Sequence, residues 1–264
     1  MQKGAQFLKP PAKKGRWKIV VISLVLLYLY YIAFTMTDLS YRGSVLSPMT
    51  IFKRLFWDPF FMPEIHAKIP EYAYYMLESI LIAYAGTLIA AVLAIPFGFL
   101  AARNISKVST IGKWILNGIR AFPEIMLAII FVAAVGIGPY AGVLAVGIHS
   151  IGMLGKLYSE VVESIDMKVL EALKANGANR IQVIWFGVIP QIIPQFSNYA
   201  MYRFEVDVRA STILGIVGAG GIGAPLLIAS MQRNWEQVGM MLIIIIIVVT
   251  IIDAISGKIR SKIV

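Results

Sequence analysis

The chain has no cysteine, which excludes disulfides, thiolate-bound zinc, iron–sulfur clusters and thiol catalysis. It is also short of charge. Only 14% of its 264 residues are Asp, Glu, Lys or Arg, against roughly 25% in water-soluble domains. No G-x-x-x-x-G-K-[ST] phosphate loop occurs, so nucleotide hydrolysis is not expected of this chain. H-E-x-x-H, G-x-S-x-G and a Cys/His set are missing too, so an intramembrane enzyme lacks its parts. No cofactor and no metal site are expected. What the chain does have is 59% hydrophobic residues, gathered in long runs. Lipid must solvate much of such a surface, and the length suits one membrane domain.

The formal net charge is +10. The bases cluster at the ends of apolar runs and are not interleaved with aromatics on polar faces. That is the positive-inside pattern of a membrane protein and not a nucleic-acid surface. Residues 1–18 form a basic N-terminus with Lys3, Lys9, Lys13, Lys14, Arg16 and Lys18. The uncharged run at 19–37 is long enough for a retained first span, too long for the apolar part of a signal peptide, and followed by no clean cleavage site. Residues 38–78 read as an outer connection with a short interfacial helix near Phe56, Trp57, Phe60 and Phe61. His66, in this connection, is assigned no role.

Further spans are expected at about 79–102, 114–135, 140–158, 183–214 and 236–256, with the transmembrane core covering 79–257 and a basic tail at 258–264. Gly136-Ile-Gly138-Pro139 marks the turn of a tight hairpin. The expectation is an all-α polytopic membrane protein with six transmembrane helices, negligible strand content and both termini in the cytoplasm.

Between the fourth and fifth expected spans, residues 159–182 are polar and mixed in charge. They read as helix, glycine break, helix, with Gly177 as a left-handed cap. The result is a compact cytoplasmic knob with an apolar side (Val169, Leu170, Leu173, Ile181, Val183) suited to a partner's groove. Glu171, Ala172, Gly177 and Pro190 stand in register with the EAA loop of ABC importer permeases, which this segment resembles. Leu173 replaces the second alanine of that pattern, Gly187 stands where it has isoleucine, and Ile189 replaces leucine. Three further blocks are similar to the phosphonate permease branch: residues 199–223, Phe122-Pro123-Glu124, and Ala145-Val-Gly-Ile-His149. The resemblance runs from about residue 75 to the end.

The resemblance implies a type I ABC importer permease fold in the bacterial inner membrane. It implies a homodimer, two ATP-binding cassette ATPase subunits docked on the EAA loops, and a periplasmic binding protein that delivers a phosphonate-type anion. A permease for phosphite, phosphate or methionine is the nearest alternative, and a secondary transporter or channel a more distant one. No internal repeat of the kind such transporters often carry is evident.

Four charges interrupt the fifth expected span: Arg203, Glu205, Asp207 and Arg209. An ionisable group at the bilayer centre costs about 2.5–3.5 kcal/mol on insertion scales. Arg203 and Asp207 are four apart, as are Glu205 and Arg209, the spacing of ion pairs on one helix face. Two readings stand: the pairs neutralise each other at a helix interface, or an arginine also faces the pathway and eases an anion through. Glu124 reads as a helix N-terminus carboxylate near Arg120 or as a pathway group, and His149 as a hydrogen-bonded packing residue or a pathway group. Gly218, Gly220, Gly221 and Gly223 match G-x-G-x-x-G literally, but no βαβ pattern surrounds them. They read as a flexible outer turn where backbones approach closely.

Overall fold

The computed structural model describes residues 16–36 and 47–263. Lys3, Lys9, Lys13 and Lys14, the last residue of the expected first span (37), residues 38–46 of the outer connection, and Val264 lie outside the described residues. Regular structure among the described residues is entirely helical, as the composition demands. Helix α1 (Arg16–Met36) belongs to a separate unit, residues 1–46. It is uncharged from Ile19 onward, and Thr35 Oγ1 donates back to the carbonyls of Tyr31 and Ile32, both at 3.0 Å.

The second unit, residues 47–264, opens with α2 (Pro48–Phe56), a 3-10 turn (Asp58–Phe61) and α3 (Pro63–His66). Then come α4 (Ile69–Ala101), α5 (Ser109–Ala121), α6 (Glu124–Val135) and α7 (Pro139–Glu163). Two short helices follow, α8 (Met167–Ala175) and α9 (Arg180–Val183), and a π turn (Ile184–Val188) feeds α10 (Ile189–Leu214). A 3-10 turn (Gly215–Val217), α11 (Gly223–Met231) and α12 (Trp235–Ile263) complete the chain.

Four of these helices are long and apolar enough to cross a bilayer: α1, α4, α7 and α12. The α5–α6 pair adds a fifth crossing, bent by 81° at Phe122-Pro123. Helix α10 has the length, 26 residues, but carries the four charges that lower its hydropathy. The set is compatible with six crossings. Its boundaries differ from those read in the sequence. Helix α4 starts at Ile69 and not near Ser79, because Pro70 sits in the first turn, where a missing N–H costs nothing. The expected straight helix at 114–135 is two helices, since the residue before a proline is pushed out of the helical region. Helix α12 runs on through Lys258, Arg260 and Lys262, so these bases lie in its last turns and not on a tail.

Small residues let the helices close on one another. In lipid there is no hydrophobic drive between helices, so backbone proximity and dispersion carry the packing. Ala83, Gly86, Ala90, Ala94 and Gly98 line one face of α4, and all are buried. A Cβ on Gly86 would lie 2.7 Å from Val146 Cγ1, and one on Gly98 would lie 2.8 Å from Tyr158 Cβ, both on α7. The same device seats α2 on α12, where a Cβ on Gly239 would overlap the Leu55 carbonyl oxygen. Beside that contact Arg54 Nη2 donates to Glu236 Oε2 at 3.0 Å and Arg54 Nε to Glu236 Oε1. The paired carboxylate raises the pKa of the Arg54 guanidinium above its ordinary value. Gly239→Ala is therefore expected to force α2 off α12 at a cost of about 1–3 kcal/mol. A thermal melt of the purified protein would read this as a lowered midpoint, and an unchanged midpoint would contradict the contact.

Candidate functional site

The bend at Pro123 places the N-terminus of α6 beside the middle of α7 and α10. Glu124, its first residue, faces His149 and Arg203 there. Around Arg203 four helices contribute polar groups to an otherwise apolar interior. Arg203 Nη2 lies 2.7 Å from Asp207 Oδ1, one turn on along α10. The same nitrogen is 2.9 Å from His149 Nδ1 on α7 and 3.5 Å from Glu124 Oε2 on α6. A guanidinium only donates, so Nδ1 is the acceptor in its contact with His149. Glu124 Oε2 is 3.4 Å from the same ring nitrogen.

Asp207 is the anchor of the cluster. It is fully buried, at 0% exposure, and Arg203 is 3% exposed. Two hydroxyls donate to Asp207 Oδ2: Thr87 Oγ1 from α4 at 2.7 Å and Ser150 Oγ from α7 at 2.8 Å. Arg203 Nε in turn donates to Ser150 Oγ at 2.9 Å. Ion pair and hydroxyls thus form one network across α4, α7 and α10, which satisfies charges that would otherwise be costly in a low-dielectric interior. Thr87 and Ser150 were not singled out in the sequence. Their signal was weak, since a hydroxyl within an apolar helix can bond its own backbone instead.

Glu124 stands in the first turn of α6 and takes no ion pair from Arg120 among the described residues. Its Oε1 makes no hydrogen bond there. It lines a cavity of about 260 Å³ with Pro123, Ile125, Ala210, Ile213 and Leu214, so the cluster opens on one side between α6 and α10.

The second spacing in α10 resolves differently. Glu205 and Arg209 do not join side chains. Arg209 Nε donates to the Glu205 backbone carbonyl at 3.2 Å, and its Nη2 reaches Asp253 on α12 at 3.4 Å. Glu205 pairs instead with Arg260, whose Nη2 is 3.0 Å from its Oε1. The reason is tertiary: α12 packs along α10 and presents Asp253 and Arg260 at closer range. The two arginines of α10 therefore sit in different surroundings, since the Arg209 side chain is 51% exposed.

In the glycine-rich segment the chain does approach its neighbours closely, and the turn is packed against them. Ala219 and Ile222 are fully buried. A Cβ on Gly221 would overlap Ser79 Oγ, one on Gly220 would lie 2.8 Å from Pro139 Cα, and one on Gly223 would overlap the Thr212 carbonyl. Gly218 O accepts from Gly138 N at 2.9 Å, and Ile222 N donates to Ser79 Oγ at 3.0 Å. The glycines are there because backbone, not side chain, meets α4 and the α6–α7 hairpin. Gly218, Gly220 and Gly221 also hold positive φ, at 87°, 82° and 80°.

The knob has the expected order of helix, glycine, helix. Asp166 caps α8 by accepting from Lys168 N at 2.9 Å. Gly177, at φ 82°, closes it: Gly177 N donates to Lys174 O at 2.9 Å and Ala178 N to Leu173 O at 3.1 Å, the paired bonds of a Schellman end. Asn179 and Gln182 form a capping box on α9. Glu171 and Ala172 are exposed on α8, and Pro190 is exposed in the first turn of α10. The side read as apolar divides: Leu170 and Val183 are buried inward, Leu173 is half-buried, and Val169 and Ile181 point out, Ile181 at 75% exposure. Gly177→Ala should cost about 1 kcal/mol by forcing an alanine into a left-handed conformation, seen as a small drop in melting temperature. Gly177→Pro should cost more, because proline cannot adopt that φ and lacks the N–H bonded to Lys174.

Residues 94–263 match the model of the family described as the binding-protein-dependent transport system inner membrane component. A phosphite transport system permease protein of Stutzerimonas stutzeri is 43% identical over 188 residues, covering 70% of this chain and 68% of that protein. A phosphate-import permease protein of Mycolicibacterium smegmatis is 42% identical over 191 residues, 71% of this chain but only 36% of that longer protein. In structure, the chain resembles an inward-facing methionine ABC transporter chain with a TM-score of 0.63 at 20% identity, over 75% of this chain and 98% of that one.

Proposed function

The chain belongs to the family of inner membrane components of binding-protein-dependent transport systems, and from that premise we propose that it carries phosphonate-type anions inward as the permease of an ATP-driven importer. Its fold is all-α and of the type I ABC importer permease kind. It works as a homodimer with two ATPase subunits and a periplasmic binding protein, and both its termini lie in the cytoplasm. Phosphite is the nearest alternative cargo, favoured by the 43% identical relative.

The observation that carries this reading is the physical continuity between knob and cluster. The π turn at Ile184–Val188 packs on α8 and passes directly into α10, the helix that holds Arg203 and Asp207. A π turn inside a helix often marks a functional site. A push on α8 from a closing ATPase pair thereby reaches the charged cluster along one helix. Glu171, Ala172, Gly177 and Pro190 shape the coupling element. Arg203, with Asp207, Glu124 and His149 around it, meets the anion's oxygens through a guanidinium already partly neutralised, which favours passage over tight retention. Glu205 and Arg209 hold α10 to α12. The cavity beside Glu124 lies on the face that the second copy covers, since an acid left facing lipid is costly. The segment with Gly218, Gly220, Gly221 and Gly223 seals the outer end.

The test is uptake by proteoliposomes that hold the chain with its ATPase subunits and binding protein. ATP-dependent accumulation of methylphosphonate or phosphite, not driven by an ion gradient alone, is the expected result. Gradient-driven uptake without ATPase would refute it.

A further inference from the structure

A second polar site lies away from the Arg203 cluster, between the first turns of α4, the end of α11 and the start of α12. It is a cavity of about 260 Å³ with Lys68, Glu71, Tyr72, Gln232 and Gln237 in its wall. In the proposed topology it faces outward. Tyr72 is 3% exposed, yet its hydroxyl has no hydrogen-bond partner. A buried hydroxyl is normally satisfied, and elsewhere in the bundle Thr87, Ser150 and Ser211 each have a partner. Lys68 and Glu71 are three residues apart but form no ion pair, and neither they nor the side chains of Gln232 and Gln237 make a hydrogen bond among the described residues. Next to Gln232, Arg233 adds a positive charge at φ 57°, in the left-handed position that closes α11 and that glycine would take more easily.

Resting on the reading of this chain as a phosphorus-oxyanion permease, we propose that this cavity binds a tetrahedral phosphorus oxyanion that still carries one proton. Lys68, the Tyr72 hydroxyl and the two glutamine amides supply donors for its P–O oxygens. Glu71 is acceptor-only, and it takes the remaining P–O–H. That one carboxylate gives the site its selectivity. Sulfate has no proton to offer at neutral pH and would meet Glu71 as like charge against like charge. Opposite charges at Lys68 and Glu71 keep the site weak, as suits a stage that must release its anion.

The test uses the assembled permease–ATPase complex in lipid nanodiscs without ATP, with phosphite as probe and its ³¹P line width as readout. The expected result is broadening that excess sulfate does not reverse. Lys68→Gln and Tyr72→Phe should each weaken it about tenfold, and Glu71→Gln should let sulfate compete. If Tyr72→Phe does not assemble, Gln237→Leu takes its place with the same expectation. No broadening by the native complex, or broadening that Tyr72→Phe or Gln237→Leu leaves unchanged, would overturn the site. ATP-driven phosphite uptake measured on the same complex separates the two claims: uptake without this binding removes the site and leaves the permease reading standing, whereas binding without uptake of any phosphorus oxyanion does the reverse.

Discussion

Arg203→Gln is expected to reduce uptake to background and to lower stability by about 3–5 kcal/mol, because it leaves Asp207 as a buried charge without its partner. Arg209→Gln should change stability by no more than about 1 kcal/mol and retain most uptake, since Arg209 is half exposed and its acid partner is 3.4 Å away. The sequence made these two arginines look equivalent, and the structure separates them. A double variant, Arg203→Gln with Asp207→Asn, distinguishes a structural ion pair from a pathway group. Removing both charges relieves the stranded acid, so most of the stability returns. If Arg203 also meets the anion, uptake stays lost. Thermal melts and proteoliposome uptake on the same preparations give both readings, and uptake restored along with stability would make the pair purely structural.

The second large effect is expected in the knob. A Cβ on Gly187 would stand 3.0 Å from Leu173 Cδ1 and 3.4 Å from Leu170 Cδ1. Leu173 and Gly187 are two of the places where the chain departs from the EAA pattern it resembles, one larger and one smaller than the pattern's residue. They are in contact, so the two departures offset each other in volume. Gly187→Ile alone should overpack the joint between α8 and the π turn, at about 1–3 kcal/mol or more, and uncouple the ATPase. Leu173→Ala alone should leave a cavity, costing about 2 kcal/mol at this half-buried site. The double variant restores the pattern's pairing, and its effects should fall well below the sum of the single ones, since contacting residues do not act additively. ATPase activity stimulated by the binding protein is the measurement, and strictly additive losses would show that the two residues are independent.

Much of this architecture was legible in the chain because lipid imposes simple demands. Long uncharged runs had to be helices. The knob could be read because Gly177 marks a helix end by its own conformational freedom. The Arg203–Asp207 pair could be read because both residues lie on one helix. What escaped was tertiary. No local spacing ties Glu205 to Arg260 or Arg209 to Asp253, because those partners arrive on α12, far along the chain. Asp253, an acid inside the last apolar run, was the one available hint. The break at Phe122-Pro123 did have a local signal in its proline, but apolar residues on both sides masked it. In the glycine-rich segment composition suggested close backbone approach but not its partners, Ser79 and Pro139, which come from elsewhere in the chain.

The central claim is that the α8–α9 knob passes force from ATPase subunits to the helix that carries Arg203. The most direct test is Glu171→Lys, a change at an exposed position that should leave the fold intact. The prediction is a correctly inserted permease of native melting temperature that no longer co-purifies with its ATPase and no longer takes up phosphite when ATP is supplied. Native co-purification and native ATP-driven uptake by that variant would contradict the account.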